Sequence, residues 1–374
     1  MNADRLSGDR FRVCWYSPKD GKYLNYNQIR KEDLHNIDPP GKTENGNDWV
    51  LILESLSGKL FNQISELRPI PHDTTFTPYL AWIKLKKEFP QAKIVEAKLP
   101  KGVTAEYKVV YTTLSDTPFG KRDLHIDLFR PEKTGIYPAL ILVHGGGWRS
   151  GNRTMENPMA QYVASHGYVT ATVEYRLSPE ALYPAAVHDI KAAIRFLRAN
   201  AKKYHIDSER MAISGTSAGG QLAALVGMTA GMTKFEGNEG HTGFSASIQA
   251  IIDIDGILDF TDPNESAKDS DPSRPSAGAW WFGGNIRQLP EKWREASPVV
   301  YAGKNSPPIL FINSTIPRFH AGRDSVISTL SKYNIYTEVQ TIPNTPHPFW
   351  LCDPWFNPTV EYMVAFLDKI FKKF

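Results

Sequence analysis

The sequence predicts an α/β fold: a mostly parallel, twisted sheet with helices on both faces, preceded by a small β-rich segment. Three observations carry this expectation. From about residue 105, short aliphatic runs alternate with longer helical segments, the order that lays helices over a parallel sheet. One run, Pro138-Ala-Leu-Ile-Leu-Val143, is apolar almost throughout, as in a strand buried on both faces. The chain has 374 residues, 41% hydrophobic and 22% charged, enough apolar surface to offset chain entropy over one large domain plus an appendage.

The elements follow in order. Residues 11–18 and 48–55 are rich in β-branched and aromatic residues and read as strands. Between them lie a turn at Lys19-Asp20-Gly21 and a polar stretch holding Pro39, Pro40, Gly41 and Gly46. This is too little for a self-sufficient β domain. Residues 1–65 are therefore expected to form a partial β-rich module or the tail of an upstream β-sandwich. Residues 66–104, with Pro69, Pro71, Pro78 and Pro90, read as a linker region with one helix near 79–88. The main domain is expected over 105–374. Leu124, Ile126 and Leu128 alternate with polar neighbours, as in a half-buried strand. After strand 138–143 come a polar helix stopping at Gly167, strand 168–175, helix 185–203, strand 210–214 and helix 218–230. Strand 247–254, a long excursion, strand 309–313, helix 321–333, strand 336–342 and helix 358–373 complete the pattern. In such sheets chemistry gathers at the C-terminal ends of strands.

Composition narrows the function. Lys and Arg number 43 against 40 Asp and Glu, a net charge of +3, and no basic run exceeds two residues, which argues against nucleic-acid binding. No stretch approaches the roughly 18 apolar residues of a membrane span. Cys14 and Cys352, near opposite ends, make neither a disulfide framework nor a zinc cluster and read as free thiols, with a single bridge the alternative. The start, Met1-Asn-Ala-Asp-Arg5, lacks an apolar core, so no signal peptide is expected in this chain. No metal or cofactor is expected, and the oligomeric state is left open.

The sharpest motif is Met211-Ala-Ile-Ser-Gly215-Thr216-Ser217-Ala218-Gly219-Gly220, an apolar strand running through G-x-S-x-G into an Ala/Leu-rich helix. A nucleophile elbow needs this context: a strained turn exposing Ser217, small residues where strand and helix approach, and a helix N-terminus beneath a developing oxyanion. Otherwise Ser217 would be a bystander in a Gly-rich turn. His144-Gly145-Gly146-Gly147-Trp148 follows strand 138–143 and matches an oxyanion loop, with the amides of Gly146, Gly147 and Ala218 as donors. His144 reads as a shaper of the loop. Trp148 either floors a substrate pocket or merely packs. A base is expected after the last strand and before the last helix, where Thr345-Pro346-His347-Pro348 lies; His347 is the candidate and His320 the runner-up.

Together with Glu174-Tyr-Arg-Leu-Ser-Pro-Glu180 and Tyr183-Pro-Ala-Ala-Val-His-Asp-Ile-Lys-Ala-Ala-Ile-Arg-Phe-Leu197, these motifs resemble the α/β-hydrolase fold over residues 105–374. The likeness is strongest to its carbohydrate-esterase and hormone-sensitive-lipase-like branches, which implies Ser217 as nucleophile, His347 as base and an acid to orient it. In most such relatives an Asp follows the strand that here ends at Ile312-Asn313. This chain instead reads Asn313-Ser-Thr-Ile-Pro-Arg-Phe-His320, without a carboxylate. Asp255, at the tip of the preceding strand before Gly256, is favoured; Asp324 and Asp259 are the alternatives.

For substrate, the cues are an aromatic-rich C-terminal third (Trp280, Trp281, Phe282, Trp293, Phe349, Trp350, Trp355) and a cluster of Arg318, His320 and Arg323. A guanidinium there suits a uronate carboxylate through paired hydrogen bonds, and a structural salt bridge is the plain alternative. Trp148, Arg318, His320 and Trp350 are the expected substrate contacts. The run Arg318-Phe-His-Ala-Gly-Arg-Asp324 with Thr345-Pro-His-Pro-Phe-Trp350 resembles gut-Bacteroidetes carbohydrate esterases, including pectin methylesterases acting on rhamnogalacturonan-II. The Trp15-Tyr-Ser-Pro-Lys-Asp-Gly-Lys22 and Asn47-Asp-Trp-Val-Leu-Ile-Leu53 segments resemble the C-terminal β module of multidomain glycoside hydrolases. The resemblance implies a pectin methylesterase with an oligosaccharide or polysaccharide substrate and a periplasmic or secreted location. An acetylesterase is the first alternative and a non-catalytic carbohydrate-binding protein the second. A serine peptidase of this fold would bring a large propeller or lid domain, for which the length leaves no room.

Overall fold

The computed structural model describes residues 10–16, 23–37, 49–55, 70–115, 117–263 and 275–372. The turn expected at 19–21, the polar stretch at 39–46 and the first part of the expected linker, up to residue 69, lie outside them. The chain forms two compact units, Met1–Pro71 with Asp116–Gly120, and His72–Ser115 with Lys121–Phe374.

In the first unit, β1 (Arg10–Tyr16) is the central strand, flanked by antiparallel β2 (Tyr23–Arg30) and β3 (Val50–Ser55). Phe11, Val13 and Trp15 are buried at alternate positions of β1, the period of a sheet with one covered face. Phe11 packs with Leu34, Ile29 and Leu53. The sequence pattern misses β2: Asn25 and Asn27 dilute its β character, and pairing to β1 supplies what propensity does not.

The second unit starts earlier than the sequence suggests. Residues 72–104, expected as linker, belong to it. Helix α1 (Pro78–Leu85) opens with Pro at its first position and Thr77 capping the Leu80 amide. Ala81 and Ala92 join the core, and β4 (Lys93–Ile94) pairs with the later β13 (Cys352–Asp353). The main sheet contains β5 (Val103–Leu114), β6 (Arg122–Pro131), β7 (Tyr137–Val143), β8 (Val169–Val173), β9 (Ile206–Thr216), β10 (Ala250–Ile254), β11 (Ile309–Asn313) and β12 (Thr337–Thr341). Its strand order is β12-β11-β10-β9-β7-β8-β6-β5. All pairs from β12 to β8 are parallel, and β6 and β5 add on antiparallel.

Helices α2 (Asn157–Ser165), α3 (Ala185–Ala199), α4 (Ala218–Met228) and α5 (Arg323–Ser331) lie between strands, and α6 (Phe356–Phe371) follows the last one. Alternation along β7 shows how one strand serves two cores. Ala139, Ile141 and Val143 enter the cluster with α3 and α4; Leu140 and Leu142 enter the one with α2 and α6. Each buried Leu, Ile or Val side chain among them contributes about 1.5–3 kcal/mol by leaving water. Strands β8 and β9 flank β7 on opposite sides, so the sheet's winding reverses at the C-terminal end of β7, the switch point where such folds open a crevice. Among the described residues, no helix is long and apolar enough to cross a membrane.

Candidate active site

Ser217 sits between the end of β9 and the start of α4 with φ 54° and ψ −119°. A non-glycine residue in that region costs on the order of 1–3 kcal/mol and persists only where packing enforces it. The enforcement is visible. The Ser217 amide donates to the Ile254 carbonyl at 2.8 Å. A Cβ on Gly215 would stand 2.0 Å from the Gly219 carbonyl oxygen, and one on Gly219 2.1 Å from that of Val143. Both glycines are required by close approach of backbone to backbone.

The loop after β7 crosses beside this turn. Gly146, Gly147 and Trp148 take consecutive positive φ values of 119°, 61° and 58°. Ser150 closes the loop by donating from its amide and hydroxyl to the Gly146 carbonyl at 3.1 and 2.8 Å. Among the described residues, the Gly146, Gly147 and Ala218 amides donate to no protein acceptor, so all three are available to an oxyanion. His144 is buried, stacks on Tyr175 with ring centroids 4.4 Å apart, and holds the Gly145 carbonyl at 2.7 Å. Burial pushes its pKa down to about 4, so it is neutral and donates from Nδ1.

Of the candidate acids, Asp255 meets the histidine. His347 Nδ1 lies 3.1 Å from Asp255 Oδ2, and its Nε2 lies 2.8 Å from Ser217 Oγ. Asp255 is fully buried at the tip of β10, with φ 50° and its Oδ1 accepting the Ser314 amide at 2.7 Å. Asp324 instead points outward, its side chain 79% exposed and paired to Arg323, and Asp259 caps the Thr261 amide at 2.8 Å. His320 is also elsewhere, its Nε2 on the Ser314 carbonyl at 2.8 Å.

Two expected substrate contacts lie within the packed structure. Trp148 and Trp350 are buried, at 3% and 2% exposure. Trp148 stacks on Trp281 at 5.0 Å and donates from Nε1 to Gln221. Trp350 sets its ring edge to face with His347 at 5.0 Å. Both rings pack against other aromatics, and Trp350 also lines a cavity with Pro78, Met155 and Phe356. Arg318 is half-buried, with its guanidinium 5.3 Å over the Phe319 ring.

The sequence reading missed several supporting residues. Phe319 lies flat on the His347 imidazole, centroids 3.6 Å apart and planes within 5°. Asn313, the last residue of β11, has its amide 3.5 Å from Asp255 Oδ1 and accepts from Arg323 Nη1 at 3.1 Å. Arg323, expected near substrate, is thereby occupied in the scaffold. Glu156 is buried and accepts from the Thr216 hydroxyl at 2.8 Å, while Thr216 Oγ1 accepts the Gly145 amide at 3.1 Å. This relay ties the residue before Ser217 to the start of the glycine loop. Burial pushes the Glu156 carboxyl up to about 8. Burial, reinforced by the Asp255 charge, raises Asp253 likewise to about 8. Phe319 and Asn313 stand in segments the motifs already flagged; nothing in the sequence around Glu156 signals its role.

With Asp255 accepting from Nδ1–H, His347 Nε2 is left to accept the Ser217 proton. The arrangement is thus equipped for nucleophilic attack by Ser217 Oγ on a carbonyl whose oxygen turns toward the glycine-loop amides.

Several known proteins are similar to this chain. Esterase LipC of Mycobacterium tuberculosis is 30% identical over 247 residues, 62% of this chain and 58% of its own length. The LipM protein of the same organism, named as a probable carboxylic ester hydrolase, is 25% identical over 63% of this chain and 54% of its own length. The chain therefore spans less than two thirds of the length of these two relatives. Among solved structures, a truncated carbohydrate esterase from gut microbiota aligns with a TM-score of 0.60 at 24% identity, over 73% of this chain and 99% of its own. The Thermogutta terrifontis esterase Est2 aligns with a TM-score of 0.58 at 21% identity, over 72% and 93%. These alignments show the α/β-hydrolase fold. Residues 1–54 match the Collagen_bind_2 model, a family named for the collagen-binding domain of a collagenase. The BD-FAE model matches residues 126–327, more than half of the chain and nearly all the strands that carry the site, so the chain belongs to the BD-FAE family.

Proposed function

We propose that the chain is a serine carboxylic-ester hydrolase acting on plant cell-wall carbohydrate, with methyl-esterified uronates of pectin as substrate and methanol as the first product. The observation that carries the ester chemistry is the unbroken line Asp255–His347–Ser217, at 3.1 and 2.8 Å, ending on a serine held at φ 54° beside unused amides. In this reading His347 takes the Ser217 proton as Oγ attacks the ester carbonyl, and Asp255 fixes the tautomer and steadies the imidazolium. The amides of Gly146, Gly147 and Ala218 hold the tetrahedral oxyanion, each donor worth about 3–4 kcal/mol. His347 then returns the proton to the departing alkoxide, and water cleaves the acyl-enzyme by the same route in reverse.

Two things support a carbohydrate ester. Similar structures bear the names of a carbohydrate esterase from gut microbiota and a bifunctional GH43-CE protein of Bacteroides eggerthii. Arg318 holds its guanidinium 5.3 Å over the ring of Phe319, which stacks on His347, so a cationic side chain lies one ring away from the imidazole. The test is product analysis. Methanol release from methylated pectic oligosaccharides should exceed acetate release from acetylated xylan. The opposite ranking makes the protein an acetylesterase, and no product from either, together with no fluorophosphonate labelling of Ser217, removes the enzyme reading.

A further inference from the structure

Trp280 is the exception among the site's aromatics. Its neighbours Trp281 and Phe282 are fully buried, whereas Trp280 is 51% exposed. It stands on the short helix Ala277–Phe282, which is capped by Ser276 Oγ on the Ala279 amide and ended by Gly283 at φ 79°. That helix abuts the oxyanion loop: a Cβ on Gly147 would lie 3.1 Å from the Ala277 Cβ. Residues three apart share a helix face, so Trp280 stands on the same face as Ala277, one turn from Gly147. A second link comes from the loop itself. Arg149, two residues beyond Gly147, lays its guanidinium over the Trp280 ring at 5.1 Å from the centroid and is itself paired to Asp73.

We infer that Trp280 is a stacking platform for a glycosyl ring next to the esterified sugar, its one face backed by Arg149 and its other presented to substrate at the mouth of the site. The inference rests on the carbohydrate-ester reading above. An indole half exposed beside the glycine loop offers an apolar face to a ligand, and the flat C–H face of a pyranose is a partner that would cover it. The platform is rigid, because Trp281 stacks on Trp148 at 5.0 Å and Phe282 packs on Trp293 at 4.8 Å. Its Arg149 charge is met by Asp73, so the surface selects for a ring face more than for an anion. An oligosaccharide ester therefore gains a contact that a small aryl ester lacks.

The test compares Trp280→Ala and Trp280→Phe with the parent protein on p-nitrophenyl acetate, a methylated oligogalacturonide and an acetylated xylo-oligosaccharide. Trp280→Ala should lower the ratio of kcat/KM for the oligosaccharide ester over that for p-nitrophenyl acetate about tenfold, chiefly through KM, and Trp280→Phe should restore most of it. An unchanged ratio, or an equal loss on all substrates, overturns the platform. A parent protein that cleaves p-nitrophenyl acetate and neither oligosaccharide also overturns it while ester hydrolysis stands. A parent protein that cleaves nothing removes the underlying reading as well.

Discussion

The two ends of the site are built differently. At the serine end, the residue types are local: Gly215, Ser217 and Gly219 lie within five residues, and a Cβ on Gly215 would meet the Gly219 carbonyl oxygen at 2.0 Å. At the acid end, geometry is assembled from afar. Asp255 comes from β10, Ser314 and Asn313 from the end of β11, Phe319 from a 3₁₀ turn, Arg323 from α5 and His347 from the loop after β12. A local turn needs particular residue types at fixed spacing, so it leaves a motif. An assembled cluster needs only that several strands end at the same level, so many sequences satisfy it.

Substitutions can break or sharpen this contrast. The largest effect belongs to Ser217→Ala, which should take ester turnover to background, a loss on the order of 10⁶ in kcat, and abolish labelling by a fluorophosphonate. Retained turnover would end the mechanism. Asp255→Asn should cost roughly 10⁴ in kcat, because the amide favours the wrong imidazole tautomer, while Asp324→Asn, on a solvent-exposed pair, should cost less than about twofold. If the ranking inverts, the acid end has been misassigned and the serine end still stands.

Smaller effects separate support from chemistry. Glu156→Leu or Thr216→Val should lower kcat about 10–100-fold with little change in KM, since both release the turn from the glycine loop; Glu156→Gln keeps the acceptor and should stay near the parent rate. The double variant should lose no more than either single one, and multiplicative losses would mean the relay does not act as a unit. Phe319→Ala should cost about tenfold in kcat by freeing the imidazole.

The gentlest probe is pH. Glu156 and Asp253 have ordinary carboxyl values of 4.5 and 3.8 when unfolded and about 8 when folded, so the native state holds extra protons between those limits. Their contribution to stability is greatest below about pH 4 and declines as pH rises toward 8. Melting temperatures of Asp253→Asn measured across that range should show a shallower decline than the parent; an identical slope would mean Asp253 is ionised in the fold.

Particular residues show where sequence reasoning stopped. The strand β7 announced itself by an apolar run, and β11 by Ile309–Asn313, because strands buried on both faces admit little else. Strand β2 did not, because asparagines at 25 and 27 carry no β signal and the strand exists through its pairing with β1. Residues 72–104 looked like linker from their prolines, yet Ala81, Ala92 and the β4–β13 pair join them to the larger unit. Trp148 reads from sequence as either a pocket floor or a packed ring, and the fold buries both it and Trp350.

The amino-acid order by itself determined the alternation of strands and helices, the serine turn, the glycine loop and where along the chain the histidine falls, since each is written as an unbroken apolar run or as particular residue types at a fixed spacing or order. Tertiary structure alone decided which carboxylate faces the imidazole, which tryptophans are buried and which one is exposed, and that Glu156 braces the turn. Those outcomes depend on which side chains converge from distant strands, and burial and convergence are properties of the folded packing that no single segment encodes.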